Sequence, residues 1–457
     1  MFHRRDFLSR TLGGTSLLAV GPVVPEFLAR AARAADAEPT AKDKDTILVV
    51  VELTGGNDGL NTVAPYADDL YHKLRPTLAH ARKDVLKLDD HVGLHPRLTE
   101  LKRLYDAKQL AVVQGVGYPN PDRSHFESMD IWQLADPRRA ATTGWLARSI
   151  PGMRVRDAGV PGMYLGQDRL PLALQGADGG VISLADRDGF HLKLTGNAAP
   201  RKKLIEDLNA GEDEAAGLAA FVRKRQLQTY TSLKKIEDAL AGTAAVGDQK
   251  TEFVNGRPVV KDAADLSGLT GKLNLIGRLI NKGLGTRVYY ASIAGFDTHS
   301  GQADTHAELL AEVSAAVGGF FAALGAEAGR VVLVTYSEFG RRVKENGSRG
   351  TDHGAASCLF VAGPKVAGGV VGAHPKLDDL ADGDLKYHTD FRRVYATLLD
   401  TWLGVDSRGV LGEKFDPLPL IDKAKKVSAP AAGPGGPVPA ATSQTKDEDI
   451  PPEPTKK

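Results

Sequence analysis

Residues 46–53 (TILVVVEL) form an unbroken aliphatic and β-branched run, closed by Thr54-Gly55-Gly56. A continuous run, rather than an alternating one, predicts a strand buried on both faces of a sheet covered by helices. Leu98, Leu101 and Leu104 recur at helical spacing within 96–108, and 110–116 returns to a strand pattern. Past Gly162 the apolar runs shorten (MYLG, LPLALQG, VISLA), and 201–245 is charged and helical, which reads as an insertion. The alternation then resumes, with a helix over 266–280, a strand over 287–293, a helix over 308–324 and strands over 330–336 and 357–362. A closing helix is expected over 390–403 with Asp390 as its N-cap. Strand alternating with helix predicts an α/β fold built on a parallel sheet.

The two ends follow other rules. Arg4-Arg5 precedes a modest apolar stretch over 12–28 and the small-residue run 29–35, the order of a twin-arginine export signal. Gly13, Gly14, Gly21, Pro22, Pro25 and Glu26 break that stretch, so it falls short of the roughly 20 apolar residues of a spanning helix. Ala32-Arg33-Ala34 supplies a cleavage site, leaving 1–35 as signal, 36–45 as linker and 46–425 as the folded domain. Residues 426–457 are rich in Pro, Ala, Gly and charge, too poor in large apolar groups to fold, and are expected to form a disordered tail. These readings place the protein in the periplasm or outside the cell, with the export machinery as partner and no stable transmembrane segment.

Composition narrows the class. The chain has 457 residues, 42% hydrophobic, with 58 Lys+Arg against 57 Asp+Glu, enough for a large core and without the charge that draws a protein to nucleic acid. A single cysteine, Cys358, excludes an internal disulfide.

Ligands of open parallel sheets bind at the carboxyl ends of strands, which directs attention to the loops there. One loop carries Asp58, a second Asp297-Thr298-His299, a third Glu338 to Arg341, and Thr351-Asp352-His353-Gly354 precedes the next strand. Carboxylate and imidazole together suit zinc, and additional carboxylates extend the choice to manganese, magnesium or calcium. Asp297 and His299, two apart, face one side of an extended segment and can share a cation. Asp352 and His353 sit between Gly350 and Gly354, on a turn that lets them serve two neighbouring metals. Ser124 stands where a helix over 127–135 begins, suited either to plain N-capping, which Asp122 can also do, or to nucleophilic attack near an anion, with Arg123 holding a second oxygen. His306 is expected on an exposed helix face, His91 and His95 in loops, and Glu338 paired with Arg341.

The motifs GGNDGLN (55–61), RSHF (123–126), FDTH (296–299), EFGR (338–341), TDHG (351–354) and TDFR (389–392) resemble the alkaline phosphatase-like, sulfatase-related superfamily, and more closely its family called domain of unknown function 1501. The resemblance runs from about Leu48 to Leu403. It implies an alkaline phosphatase-like three-layer sandwich, with metal ligands Asp58, Asp297, His299, Asp352 and His353 and the nucleophile Ser124. It implies an exported metal-dependent hydrolase of small anionic phosphate or sulfate esters. The family's last metal-binding His has only His374 and His388 as loose counterparts, and Cys358 lacks the following Pro and Arg of a formylglycine sulfatase. The missing ligand keeps open an exported binding or surface-assembly protein that retains the fold without turnover.

Overall fold

A computed structural model describes residues 45–153, 160–166, 169–176, 181–184 and 266–426, with short strands placed at 253–254 and 257–258. The expected signal, linker, helical insertion and tail lie outside the described residues, apart from Asp45 and Lys426.

In chain order the main elements are strand β1 (Ile47–Thr54), helix α1 (Thr99–Asp106), strand β2 (Leu110–Gly117), helix α2 (His125–Leu134), strands β3 (Gly162–Leu165) and β4 (Ile182–Leu184), helix α3 (Leu269–Asn281), strand β5 (Val288–Ala294), helix α4 (Gln302–Leu324), strands β6 (Val331–Tyr336), β7 (Ser357–Ala362), β8 (Gly369–Val371) and β9 (Thr389–Asp390), and helix α5 (Phe391–Ala396). A π-helical turn, Thr397–Leu403, prolongs α5. The strands form one sheet in the order β8-β2-β7-β6-β1-β5-β3-β4, with β9 also beside β2. Pairing is parallel throughout except at β7, which runs antiparallel to both β6 and β2.

β1 shows why the fold has three layers. Ile47, Val49, Val51 and Leu53 join one core with Leu101 and Leu104 of α1, Leu273 and Ile276 of α3 and Val313 and Phe320 of α4. Leu48 and Val50 join the opposite core with Trp132 of α2 and Phe391 and Tyr395 of α5. Each such aliphatic side chain contributes about 1.5–3 kcal/mol on full burial. Glu52 is the polar exception in the strand. It is buried, and its carboxylate accepts from Thr54 Oγ1 (2.8 Å), Gln133 Nε2 (3.0 Å), Tyr336 Oη (3.0 Å) and Tyr290 Oη. Burial pushes its pKa up, and these donors partly offset the cost.

The stretch Gln302–Arg330 is long and apolar enough to cross a membrane, but half of it is buried inside the protein, where α4 packs on α1 and α3. α4 begins six residues earlier than its apolar pattern suggests, because Gln302 and His306 continue the inward stripe of Leu310, Val313 and Val317. His306 is therefore buried rather than exposed, with its Nε2 2.9 Å from Asn57 Oδ1. Asp390 caps α5 as expected, accepting from Arg392 N at 2.9 Å.

Candidate metal centre

The parallel neighbours β6, β1 and β5 end side by side, so the loops that follow them meet at one edge of the sheet. Gly55 and Gly56 make the tight exit from β1, with φ of +117° and +76°. A Cβ on Gly55 would lie 2.5 Å from Asp297 N, and one on Gly56 2.3 Å from the Phe339 ring, so only glycine fits either place. Arg341 ties these loops together from within. Its buried guanidinium donates to Gly56 O (2.7 Å), Thr351 O (2.9 Å), Phe296 O (3.1 Å), Gly55 O and Asp297 Oδ1 (2.6 Å).

Around Asp297 three imidazoles converge. His299 Nε2 lies 3.1 Å and His353 Nε2 3.2 Å from Asp297 Oδ1, and the two nitrogens are 2.9 Å from each other. His125 Nε2 approaches the other carboxylate oxygen at 3.5 Å. The ligating atoms of His125, Asp297 and His353 likewise all lie within 4.8 Å of one another.

The far side of each ring decides what the near side presents. His353 Nδ1 donates to Arg123 O at 2.8 Å, His125 Nδ1 to Glu338 Oε1 at 2.8 Å and His299 Nδ1 to Asp352 Oδ1 at 3.2 Å. Carbonyl and carboxylate oxygens only accept, so each Nδ1 carries the hydrogen, and a ring without a second proton turns a bare Nε2 toward Asp297. Burial works against the Asp297 charge, but the hydrogen bond and charge of Arg341 hold its carboxyl down at about 2. Its hydrogen bond to Glu338 pushes the His125 imidazole up, while burial pushes that of His353 down. Lone pairs of two nitrogens and a carboxylate thus face one another at 2.9–3.2 Å, close to the edge of about 3.3 Å expected in a tetrahedral zinc site with bonds near 2.0–2.1 Å. The donor set fits a divalent cation, and partners on each Nδ1 are what histidine ligands ordinarily have.

Asp297, His299 and His353 meet here, and Asp352 stands behind His299. Asp58 does not join them. It is buried, pairs with Arg75 at 2.6 Å, accepts from Gln302 and caps the short turn that follows it, so its oxygens are already occupied. Ser124 occupies the N-cap position of α2, and its side chain caps no backbone N–H; its own N–H goes to Asp122 Oδ1 at 2.7 Å. Arg123 orients His353 through its carbonyl, but its guanidinium is engaged by Asp384 (Nε to Oδ2 2.8 Å). Glu338 and Arg341 do not pair; each binds a different member of the cluster. His374 rests by Gln114 and Asp89, and His388 lies over Gly115, both apart from the group. The residue that sequence reasoning passed over is His125, inside the RSHF motif that was read for its serine.

A family model described as "Protein of unknown function (DUF1501)" matches residues 45–428. No curated protein matches the sequence significantly. Similar solved structures include the sulfatase PsFucS1 from Pseudoalteromonas sp. (10% identity, 88% of this chain and 77% of that one, TM-score 0.35). Others are the C-terminal periplasmic domain of EcEptC from Escherichia coli in complex with zinc (10% identity, 71% and 74%, TM-score 0.33) and alkaline phosphatase from the Antarctic bacterium TAB5 (9% identity, 72% and 95%, TM-score 0.29). Scores this low carry nothing about the site, which stands on its own geometry.

Proposed function

The chain belongs to the DUF1501 family, and we propose that it is an exported, metal-dependent hydrolase of phosphate or sulfate esters whose cation is held by Asp297, His299, His353 and His125. The observation that carries this reading is the set of three Nε2 lone pairs aimed at one carboxylate, each ring locked by a partner on Nδ1. Zinc suits the donors best, and a divalent cation there supplies Lewis-acid polarisation of the ester oxygens.

The chain's own residues supply the rest. Asp297, ionised at neutral pH, fixes the negative corner of the site, and Arg341 keeps it in place from behind. Ser124 offers an uncapped hydroxyl beside His125, at the start of a ten-residue helix whose first N–H groups favour an anion. In-line attack by its Oγ on the phosphorus or sulfur centre expels the alcohol, and hydrolysis of the seryl ester completes turnover. Asp352 and Glu338 act at one remove, holding His299 and His125. Export by the twin-arginine route, which carries folded cargo, accords with a cation acquired before transit.

One observation favours the second reading, a binding protein that keeps the fold: Asp58 and the Arg123 guanidinium are both committed to ion pairs. The two readings separate in a screen of phosphate and sulfate esters with wild type, Ser124→Ala and His353→Ala. Hydrolysis lost in both variants, with metal retained only in Ser124→Ala, is the expected result. Metal without turnover of any ester in the wild type moves the conclusion to the binding protein.

A further inference from the structure

Asn346 stands where two loops of the centre meet, and its amide makes every hydrogen bond it can. Its Oδ1 accepts from Ser348 N (2.9 Å) and Gly350 N (3.1 Å), and its Nδ2 donates to His299 O (2.9 Å) and Asp352 Oδ1 (3.1 Å). Two N–H groups on one side and two oxygens on the other leave a single orientation for the amide. The backbone also anchors this loop: Asn346 N donates to Gly350 O at 2.9 Å, and Ser348 O and Arg349 O accept from Gly301 N (3.0 Å) and Gln302 N (2.9 Å) at the start of α4. The two side-chain donors therefore serve something besides the turn. The side chains of His299 and Asp352 are 44% and 55% exposed, open enough to rotate. Among the described residues, Asn346 is the one hydrogen-bond partner of the Asp352 carboxylate besides His299.

Without Asn346 the Asp352 carboxylate is free to turn to water, and His299 loses the acceptor that keeps the hydrogen on Nδ1 and aims Nε2 at Asp297. We propose that Asn346 is a positioning residue of the metal centre, which holds Asp352 against the His299 ring and, through the His299 carbonyl, the loop that carries it. It acts through those groups rather than on a substrate. The role rests on the metal centre of the reading above and not on turnover, so it holds for a hydrolase and for a binding protein alike.

Zinc affinity of the full chain, measured by competition with a chelator, tests it. Asn346→Ser is the informative variant, because a serine hydroxyl can still accept from Ser348 N in the turn but is too short to reach His299 O and Asp352. It should remain folded and bind zinc about tenfold or more weakly than the wild type. In a His299→Ala background the same substitution should leave zinc affinity unchanged, since the ligand it serves is gone. Asn346→Asp keeps the size and the acceptor should Asn346→Ser not fold, and it too should bind zinc more weakly despite its added charge. Zinc bound as tightly by the variant as by the wild type, or an equal loss with and without His299, would overturn the assignment and leave the metal centre standing. A wild type that takes up no zinc would overturn both.

Discussion

At the scale of single residues, Glu338 connects the centre to the sheet. Its carboxylate accepts from Gly55 N and His125 Nδ1 at 2.8 Å and from Ser337 Oγ at 3.0 Å. Glu338→Gln replaces one acceptor with a donor facing donors, so His125 loses its orientation. Metal affinity should fall about 10–100-fold, measured by competition with a chelator, and an unchanged affinity would remove Glu338 from the site. His306 supports a different prediction. Burial pushes its imidazole down to about 4 from an ordinary 6.5, so the unfolded chain takes up the proton first. Stability is therefore whole above pH 6.5 and is lost as pH falls toward 4, by about 3 kcal/mol from this group. Denaturant unfolding across that window should show the loss, and His306→Gln should flatten it. The Asp297/His299 and Asp352/His353 pairs were legible because short spacing in loops after strands is visible in sequence. His125 was not, since a lone histidine on a helix's first turn acquires meaning only from residues far along the chain. The partner of Asp58 was hidden for the same reason: Arg75, 17 residues on, looked like any loop arginine.

At the scale of elements, Arg341 joins the exits of β1 and β5 and the approach to Asp352 through carbonyls of Gly55, Gly56, Phe296 and Thr351. Lysine cannot reproduce that fork, and alanine leaves those carbonyls and Asp297 without their donor. Arg341→Ala should cost about 3–5 kcal/mol in equilibrium unfolding, and a cost below about 1 kcal/mol would show that the loops hold without it. β1, β2, β5, β6 and β7 could be read from sequence to within a residue or two, because burial on both faces leaves continuous apolar runs, whereas β8 and β9, two or three residues long and only partly buried, left no such run and were missed. The direction of β7 could not be read, since a strand buried on both faces looks the same whichever way it runs. The start of α4 was obscured by polar residues, Gln302 and His306, whose burial depends on Asp58, Thr298, Thr351 and Asn57.

At the scale of the whole molecule, two helical layers close both faces of the sheet and leave its strand-end loops as the place where charge gathers. There Arg75 neutralises Asp58 and Arg341 flanks Asp297, while the three imidazoles around Asp297 have donors directed away from it. A proton or a cation must separate their lone pairs, and the central claim is that it is a cation. Elemental analysis of the purified full-length protein, with His353→Ala prepared in parallel, tests this most directly. Close to one zinc or other divalent ion per chain, lost in the variant, is the predicted result; a wild type free of metal that also fails to take up added zinc would contradict it.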